Sequence, residues 1–284
     1  MKEVKMPELP EVETVMQAVA KAVGYSNIIG VTVNNNRFRE KIPDDLAAKV
    51  SGAKITNYKR IAKYITIGLD NSLTIIWHLG MSGKVKICDK LPCPLDKHDH
   101  VIVQTDKCFL IFNDTRRFGL LTYCESDKLG KNPFLARAGT DPFDSGLTSE
   151  YLYSRLHKKK IPIKAALLDQ SIICGIGNIY ASEILYMARI SPQRPTDKIS
   201  PVECGILIKK TREVLKKAIA AGGSTIHDYK KPDGSLGYFQ NMHCVYNKTG
   251  QQCPDCTCDL SKNGGIQKIV QAGRSTFYCP IIQK

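Results

Sequence analysis

The sequence predicts an α+β protein, with strands in the first half, helices in the second and a small cysteine-rich module at the end. Three observations carry this. Short β-branched runs recur between residues 54 and 114, apolar residues switch to three-and-four spacing after residue 148, and Cys253, Cys256, Cys258 and Cys279 crowd the C-terminus. A chain of 284 residues exceeds the usual single-domain size, so at least two compact units are expected.

The elements follow in chain order. Residues 12–23, VETVMQAVAKAV, space their apolar side chains as an amphipathic helix does. The runs 54–70, 72–80, 84–88, 100–105 and 108–114 read as strands, separated by turn residues such as Asp70-Asn71 and Asp106-Lys107. From residue 148 the pattern is helical, with Thr148, Asn178 and Ser200 as N-caps and Gly222-Gly223 closing the last helix. The polar loop 230–241 leads to the cysteine-rich tail.

Composition narrows the function classes. Apolar residues make up 43% and charged residues 24% of the chain, as in ordinary globular proteins. No run of about 18 apolar residues exists, and the acidic, proline-bearing start does not read as a secretory signal. Eleven cysteines, most of them scattered, suit a reduced, intracellular chain better than a disulfide framework. The formal net charge of +14 favours a polyanionic partner, with generic solubilising charge as the bland alternative.

Pro7 and Glu8 open the first helix, and a proline followed by acidic residues is an ordinary helix entry. Met6 gives them a second meaning. If the chain starts there, removal of the methionine frees the Pro7 nitrogen, and an α-amine with a pKa of about 8 is a usable nucleophile near neutrality. Such an amine can attack a sugar C1′, and Glu8 can protonate the opened sugar oxygen.

PELPEVET (7–14), RIAKYI (60–65), HLGMSG (78–83), KHDH (97–100), RRFG (116–119), GIGNIYASE (175–183), DGSLGYF (233–239) and GRSTFYCP (273–280) occur in this order. Together they resemble the bacterial formamidopyrimidine-DNA glycosylases over nearly the whole chain after residue 6. The resemblance implies a β-sandwich-like catalytic domain with a leading helix over 7–140 and a helix-two-turn-helix DNA-binding domain over 148–229. It also implies a lesion-capping loop over 230–243 and a β-hairpin zinc-finger-like module over 244–284. It implies base-excision repair of oxidised purines, namely 8-oxoguanine and formamidopyrimidines, with abasic-site lyase activity. The partner would be double-stranded DNA containing oxidised bases or abasic sites, bound by a monomer with no membrane involvement.

Residue by residue, the resemblance makes Pro7 the Schiff-base nucleophile and Glu8 its acid. Lys63 becomes the lysine of β-elimination and phosphate contact, and Arg274 the finger arginine of δ-elimination. It makes Met81, Arg116 and Phe118 the side chains that fill the void left by an extruded nucleotide, and His98, Lys159 and Asn178 DNA contacts. On the residues alone, Lys63 also reads as a snorkelling strand lysine, Arg274 as a surface arginine and Lys158-Lys159-Lys160 as a solvated charge run. His78 and His100 read as structural.

Two departures from the family pattern leave alternatives open. Cys253, Cys256 and Cys279 match three places of a C-x2-C…C-x2-C zinc site, but Ile282 stands in the fourth. Cys258 is then a replacement ligand, or the finger is held by its hairpin without zinc. Residues 1–6 are the second departure. If they are retained, Pro7 is an amide and the protein binds lesions without catalysis. An endonuclease VIII-like enzyme for oxidised pyrimidines is the other reading, disfavoured by PELPE rather than PEGPE at 7–11.

Overall fold

The computed structural model describes residues 6–224, 232, 234, 236–256 and 259–284. They form two compact units, one from the described residues of 6–136 and 219–240 and one from 137–218 and 241–284. No helix among them is long and apolar enough to cross a membrane.

The first unit is a two-sheet sandwich. Helix α1 (Leu9–Val23) leads into β1 (Ile28–Val33) and the short α2 (Leu46–Val50), and then β2 (Ile55–Ile61), β3 (Tyr64–Leu69) and β4 (Leu73–His78). Strands β5 (Gly83–Cys88), β6 (Asp99–Thr105), β7 (Phe109–Asp114) and β8 (Leu120–Glu125) complete it. One sheet has the order β1-β6-β7-β5 and the other β2-β3-β4-β8, and all pairs are antiparallel. Val12, Val15, Val19 and Val23 are buried along one face of α1 and join a core with Trp77 and Phe112, whose rings meet edge-on at 5.2 Å. Each such side chain contributes about 1.5–3 kcal/mol by leaving water.

The predicted run 54–70 is a hairpin rather than one strand. Ala62 adopts φ +54 in the two-residue loop Ala62-Lys63 between Ile61 and Tyr64. A left-handed alanine carries no sequence signal, because glycine or asparagine is the usual occupant of that conformation.

The second unit is helical: α3 (Ser149–Leu156), α4 (Ile163–Leu168), α5 (Asn178–Met187) and most of α6 (Pro201–Ala220). It closes with α7 (Leu260–Asn263) and the hairpin β9 (Gln267–Gln271) and β10 (Arg274–Tyr278). Thr148 caps α3, its Oγ1 accepting from Tyr151 N. Ser200 forms a reciprocal box with Glu203 at the start of α6. Asn178 does not cap α5. Gly177 holds the N-cap position and Asn178 is the first helical residue, its side chain engaged elsewhere.

Candidate active site

Pro7 and Glu8 lie at the mouth of α1, and both are buried. Glu8 is the extended N-cap, and its N–H donates to Glu11 Oε2 at 2.9 Å. The other oxygen of Glu11 accepts from Ser224 N at 2.7 Å, just past the end of α6. The buried Glu11 carboxylate therefore joins the backbone at Glu8 to that at Ser224, and the Glu8 side chain completes a capping box with the backbone N–H of Glu11.

Lys63 sits in the β2–β3 turn and is only 8% exposed. Arg60 braces that turn by donating from Nη1 to Ala62 O at 3.1 Å and from Nε to Glu13 Oε2 at 2.8 Å. His78 lies close by, its ring 4.6 Å from that of Tyr64. Burial, and then the charge of Lys63, depress its pKa from 6.5 to about 4. Its Nδ1 accepts from Gly80 N at 3.0 Å. His78 is thus a neutral, structural residue that anchors the following turn.

That turn carries Met81, half-buried, and it meets the loop that carries Arg116 and Phe118, both exposed. A Cβ on Gly80, which has φ +63, would lie 2.4 Å from Gly119 N and from Phe118 C, so the two backbones touch only because residue 80 is glycine. The Arg116 guanidinium lies 4.7 Å from the centre of the Phe118 ring. Asp114, fully buried, bonds to both loops. Its Oδ1 accepts from Ser82 Oγ at 2.5 Å and from Arg116 N at 3.2 Å, and its Oδ2 accepts from Gly119 N at 2.8 Å. His98 joins the same region through its carbonyl, which accepts from Asp114 N at 3.1 Å. His100, the other structural histidine, donates from Nε2 to Asp114 O at 3.0 Å.

In the second unit, Asn178 Nδ2 donates to Ser275 O at 2.9 Å, next to Arg274. Lys164, 1% exposed, donates to Asn178 Oδ1 at 2.6 Å, Ser275 O at 2.9 Å and Thr276 Oγ1 at 2.8 Å. This buried ammonium ties the first turn of α5 to the hairpin, and sequence reasoning missed it. The only signal was a lysine inside the apolar run Ile163–Leu168. Arg274 follows the tight turn Ala272-Gly273, both residues at positive φ, and is exposed. Lys159 is ion-paired with Asp169 at 2.5 Å.

Cys253, Cys256 and Cys279 converge, with Sγ separations of 2.9, 3.4 and 3.7 Å. Thiolates around one tetrahedral zinc at about 2.3 Å stand about 3.8 Å apart, so three donors fit the metal with a small expansion. Burial, partly offset by backbone donors and reinforced by the neighbouring cysteines, pushes the Cys279 thiol up to about 12. Cys258 lies outside the described residues, and Ile282 is half-buried. The C-terminal turn is also tied down by hydrogen bonds. Cys279 N donates to Gln283 Oε1 at 2.8 Å, Gln283 Nε2 to Ile190 O at 3.0 Å, Ser191 N to Lys284 O at 2.8 Å and Lys284 N to Arg189 O at 3.2 Å.

Comparison with known proteins decides the family. The formamidopyrimidine-DNA glycosylase N-terminal domain matches residues 6–121, and the H2TH domain of the same enzymes matches residues 138–230. The chain belongs to the formamidopyrimidine-DNA glycosylase family. Curated formamidopyrimidine-DNA glycosylases of Rhodospirillum rubrum and Novosphingobium aromaticivorans are 41% and 42% identical to it. The first alignment covers 96% of this chain and 98% of the relative, and the second 98% and 100%. Among solved structures, a Lactococcus lactis enzyme in complex with a Fapy-dG-containing DNA superposes with a TM-score of 0.88 at 33% identity, covering 98% of this chain and all of that one. A MutM in complex with carbocyclic 8-oxo-G-containing DNA gives 0.86 at 32% identity, again over 98% and 100%. As in other members of the family, the protein has the sandwich, the H2TH helices and the C-terminal hairpin.

Proposed function

We propose that this protein is a base-excision-repair DNA glycosylase and abasic-site lyase that removes oxidised purines, 8-oxoguanine and formamidopyrimidines, from double-stranded DNA. The observation that carries the reading is Pro7 followed by Glu8 at the buried mouth of α1, inside a fold shared with enzymes solved on Fapy-dG and 8-oxo-G DNA. Those relatives favour purines over the pyrimidine substrates of the endonuclease VIII branch.

In this reading Met6 is removed, and the family match that begins at residue 6 supports that start. The Pro7 nitrogen attacks C1′ and displaces the base, and Glu8 protonates the opening sugar oxygen. The iminium cation that results acidifies the C2′ proton, so β-elimination expels the 3′ phosphate. δ-Elimination, assisted by Arg274, then expels the 5′ phosphate. Lys63 and Asn178 hold the phosphates, and Lys159, His98 and Arg116 add contacts to the backbone and the void. Residues 7–140 supply Pro7, Glu8 and Lys63, 148–229 the grip on DNA, 244–284 further grip and Arg274, and 230–243 the cover over the extruded base. Asp233 and Ser235 of that cover lie outside the described residues. Cys253, Cys256 and Cys279 would hold a structural zinc, which when bound stiffens the hairpin carrying Arg274.

Intact mass of the native protein, with borohydride trapping on abasic-site DNA, tests the proposal. A chain beginning at Pro7 that traps covalently is the expected result. A chain that keeps residues 1–6 and does not trap would make this a lesion-binding protein without lyase chemistry.

A further inference from the structure

Three backbone segments in the first unit meet at one buried residue, Asp114. Asp114 closes β7 and is 0% exposed. Its side chain takes a hydroxyl donor from the Met81 turn (Ser82) and two amide donors from the Arg116–Phe118 loop (Arg116 N, Gly119 N). Its backbone engages the third segment, receiving His100 Nε2–H and donating to His98 O. Asp114 makes no use of its position at the surface, since it has none. The side chains that these segments project, Met81, Arg116 and Phe118, are the half-buried and exposed ones.

We propose that Asp114 is a positioning residue for nucleotide extrusion: it fixes the spacing of Met81, Arg116 and Phe118, so that the three side chains enter the duplex as one wedge. This rests on the reading above that these side chains fill the void. The chemistry explains why the position needs a carboxylate. Both oxygens accept, and a carboxylate can satisfy all three donors at once. An asparagine presents one oxygen and one NH2, so either Gly119 N–H or the Ser82–Arg116 pair would face another donor. The loops would then separate by the distance two donors demand. A wedge that is misplaced by a fraction of its own width loses transition-state contacts made only when the base is out. The already extended sugar of a single strand needs no such filling.

The test compares two substrates in single-turnover assays. One is duplex DNA with 8-oxoguanine opposite cytosine, with 2-aminopurine beside the lesion to report extrusion. The other is a single-stranded oligonucleotide with a preformed abasic site, which presents the sugar to Pro7 with no opposite strand and no void. Asp114→Asn should slow duplex excision and the 2-aminopurine signal by about ten- to hundredfold, while abasic cleavage changes less than about threefold. Ser82→Ala, which removes the hydroxyl that donates to Asp114 and accepts from Arg116 N at 3.0 Å but keeps the carboxylate, should show the same selectivity more weakly, and it serves if Asp114→Asn does not fold. Equal slowing on both substrates, or no slowing on either, would overturn the proposal. Phe118→Ala separates this failure from failure of the wedge reading. If Phe118→Ala is selective and the Asp114 and Ser82 variants are not, the wedge stands and the positioning role falls. If Phe118→Ala has no selective effect, the wedge itself is wrong and the proposal falls with it.

Discussion

Arg60 Nε donates to Glu13 Oε2 at 2.8 Å across 47 residues of chain, and both side chains are largely removed from water. Because Arg60 also holds the carbonyl of Ala62, one guanidinium fastens the turn that bears Lys63 to the helix that Pro7 and Glu8 immediately precede. Breaking such a pair strands a charge in a poorly solvated place. Glu13→Ala should therefore lower stability by about 2–4 kcal/mol in urea unfolding. It should also reduce strand cleavage more than DNA binding. A variant with wild-type stability and cleavage would show that the turn is held by other means.

Pro7→Gly should lose base excision and borohydride trapping by at least about a hundredfold while still binding abasic-site DNA. A secondary amine gives an iminium that is cationic without a further proton, whereas the imine of glycine must be protonated to act as an electron sink. Excision of 8-oxoguanine at the parent rate by this variant would refute the assignment of Pro7.

His78 makes stability depend on pH in a defined window. Its folded pKa, about 4, lies below the ordinary 6.5, so the unfolded chain binds the proton more readily. The contribution is fully present above pH 6.5, falls as pH drops towards 4, and amounts to about 3 kcal/mol across the window. His78→Gln should flatten the urea-midpoint profile between pH 4 and 6.5. An unchanged slope would mean that another group carries it.

Lys159 is held by Asp169 before any proposed contact with DNA. Burial raises the pKa of Asp169, but bonds from Lys159 and Ser171 outweigh it and hold that carboxyl down at about 2, so the ion pair is intact throughout the working pH range. Lys159→Ala should weaken binding to all DNA sequences and reduce the salt slope by about 0.9. Asp169→Asn should act in the opposite direction. Fluorescence anisotropy over a salt series measures both, and an unaltered slope in Lys159→Ala removes that residue from the interface.

The thiol cluster should bind one zinc ion per chain, and a chelator should strip it more readily than a four-thiolate site. Cys256→Ser or Cys279→Ser should abolish binding, as read by metal analysis of the purified protein. Retention of zinc at full stoichiometry in both variants would place the metal elsewhere.

The sheets and helices were legible because their signals are local. Alternation and β-branching marked β6 and β7, and three-and-four spacing marked α1 and α6. Strands β1 and β8 were not, because each is a short run without clean alternation, and the hairpin split at Ala62 was not, because a left-handed alanine has no local signal. Asn178 was read as a cap because asparagine favours that position. Its side chain instead answers to Ser275, 97 residues away. The same holds for Asp114 and Lys164. Lys164 is the one polar residue of an apolar helix and Asp114 follows Asn113 at the end of an otherwise apolar strand, and the importance of each comes from partners that only the folded chain brings together.

The C-terminal turn has more than one fastening: the carbonyls of Arg189 and Ile190, the amide N–H of Ser191 and the Gln283 side chain secure it alongside the sulfur cluster, and Lys164 grips the hairpin. Redundancy of that kind relaxes selection on any single tie. A finger already sewn shut by hydrogen bonds can carry isoleucine at position 282 and keep the tip that bears Arg274 in register.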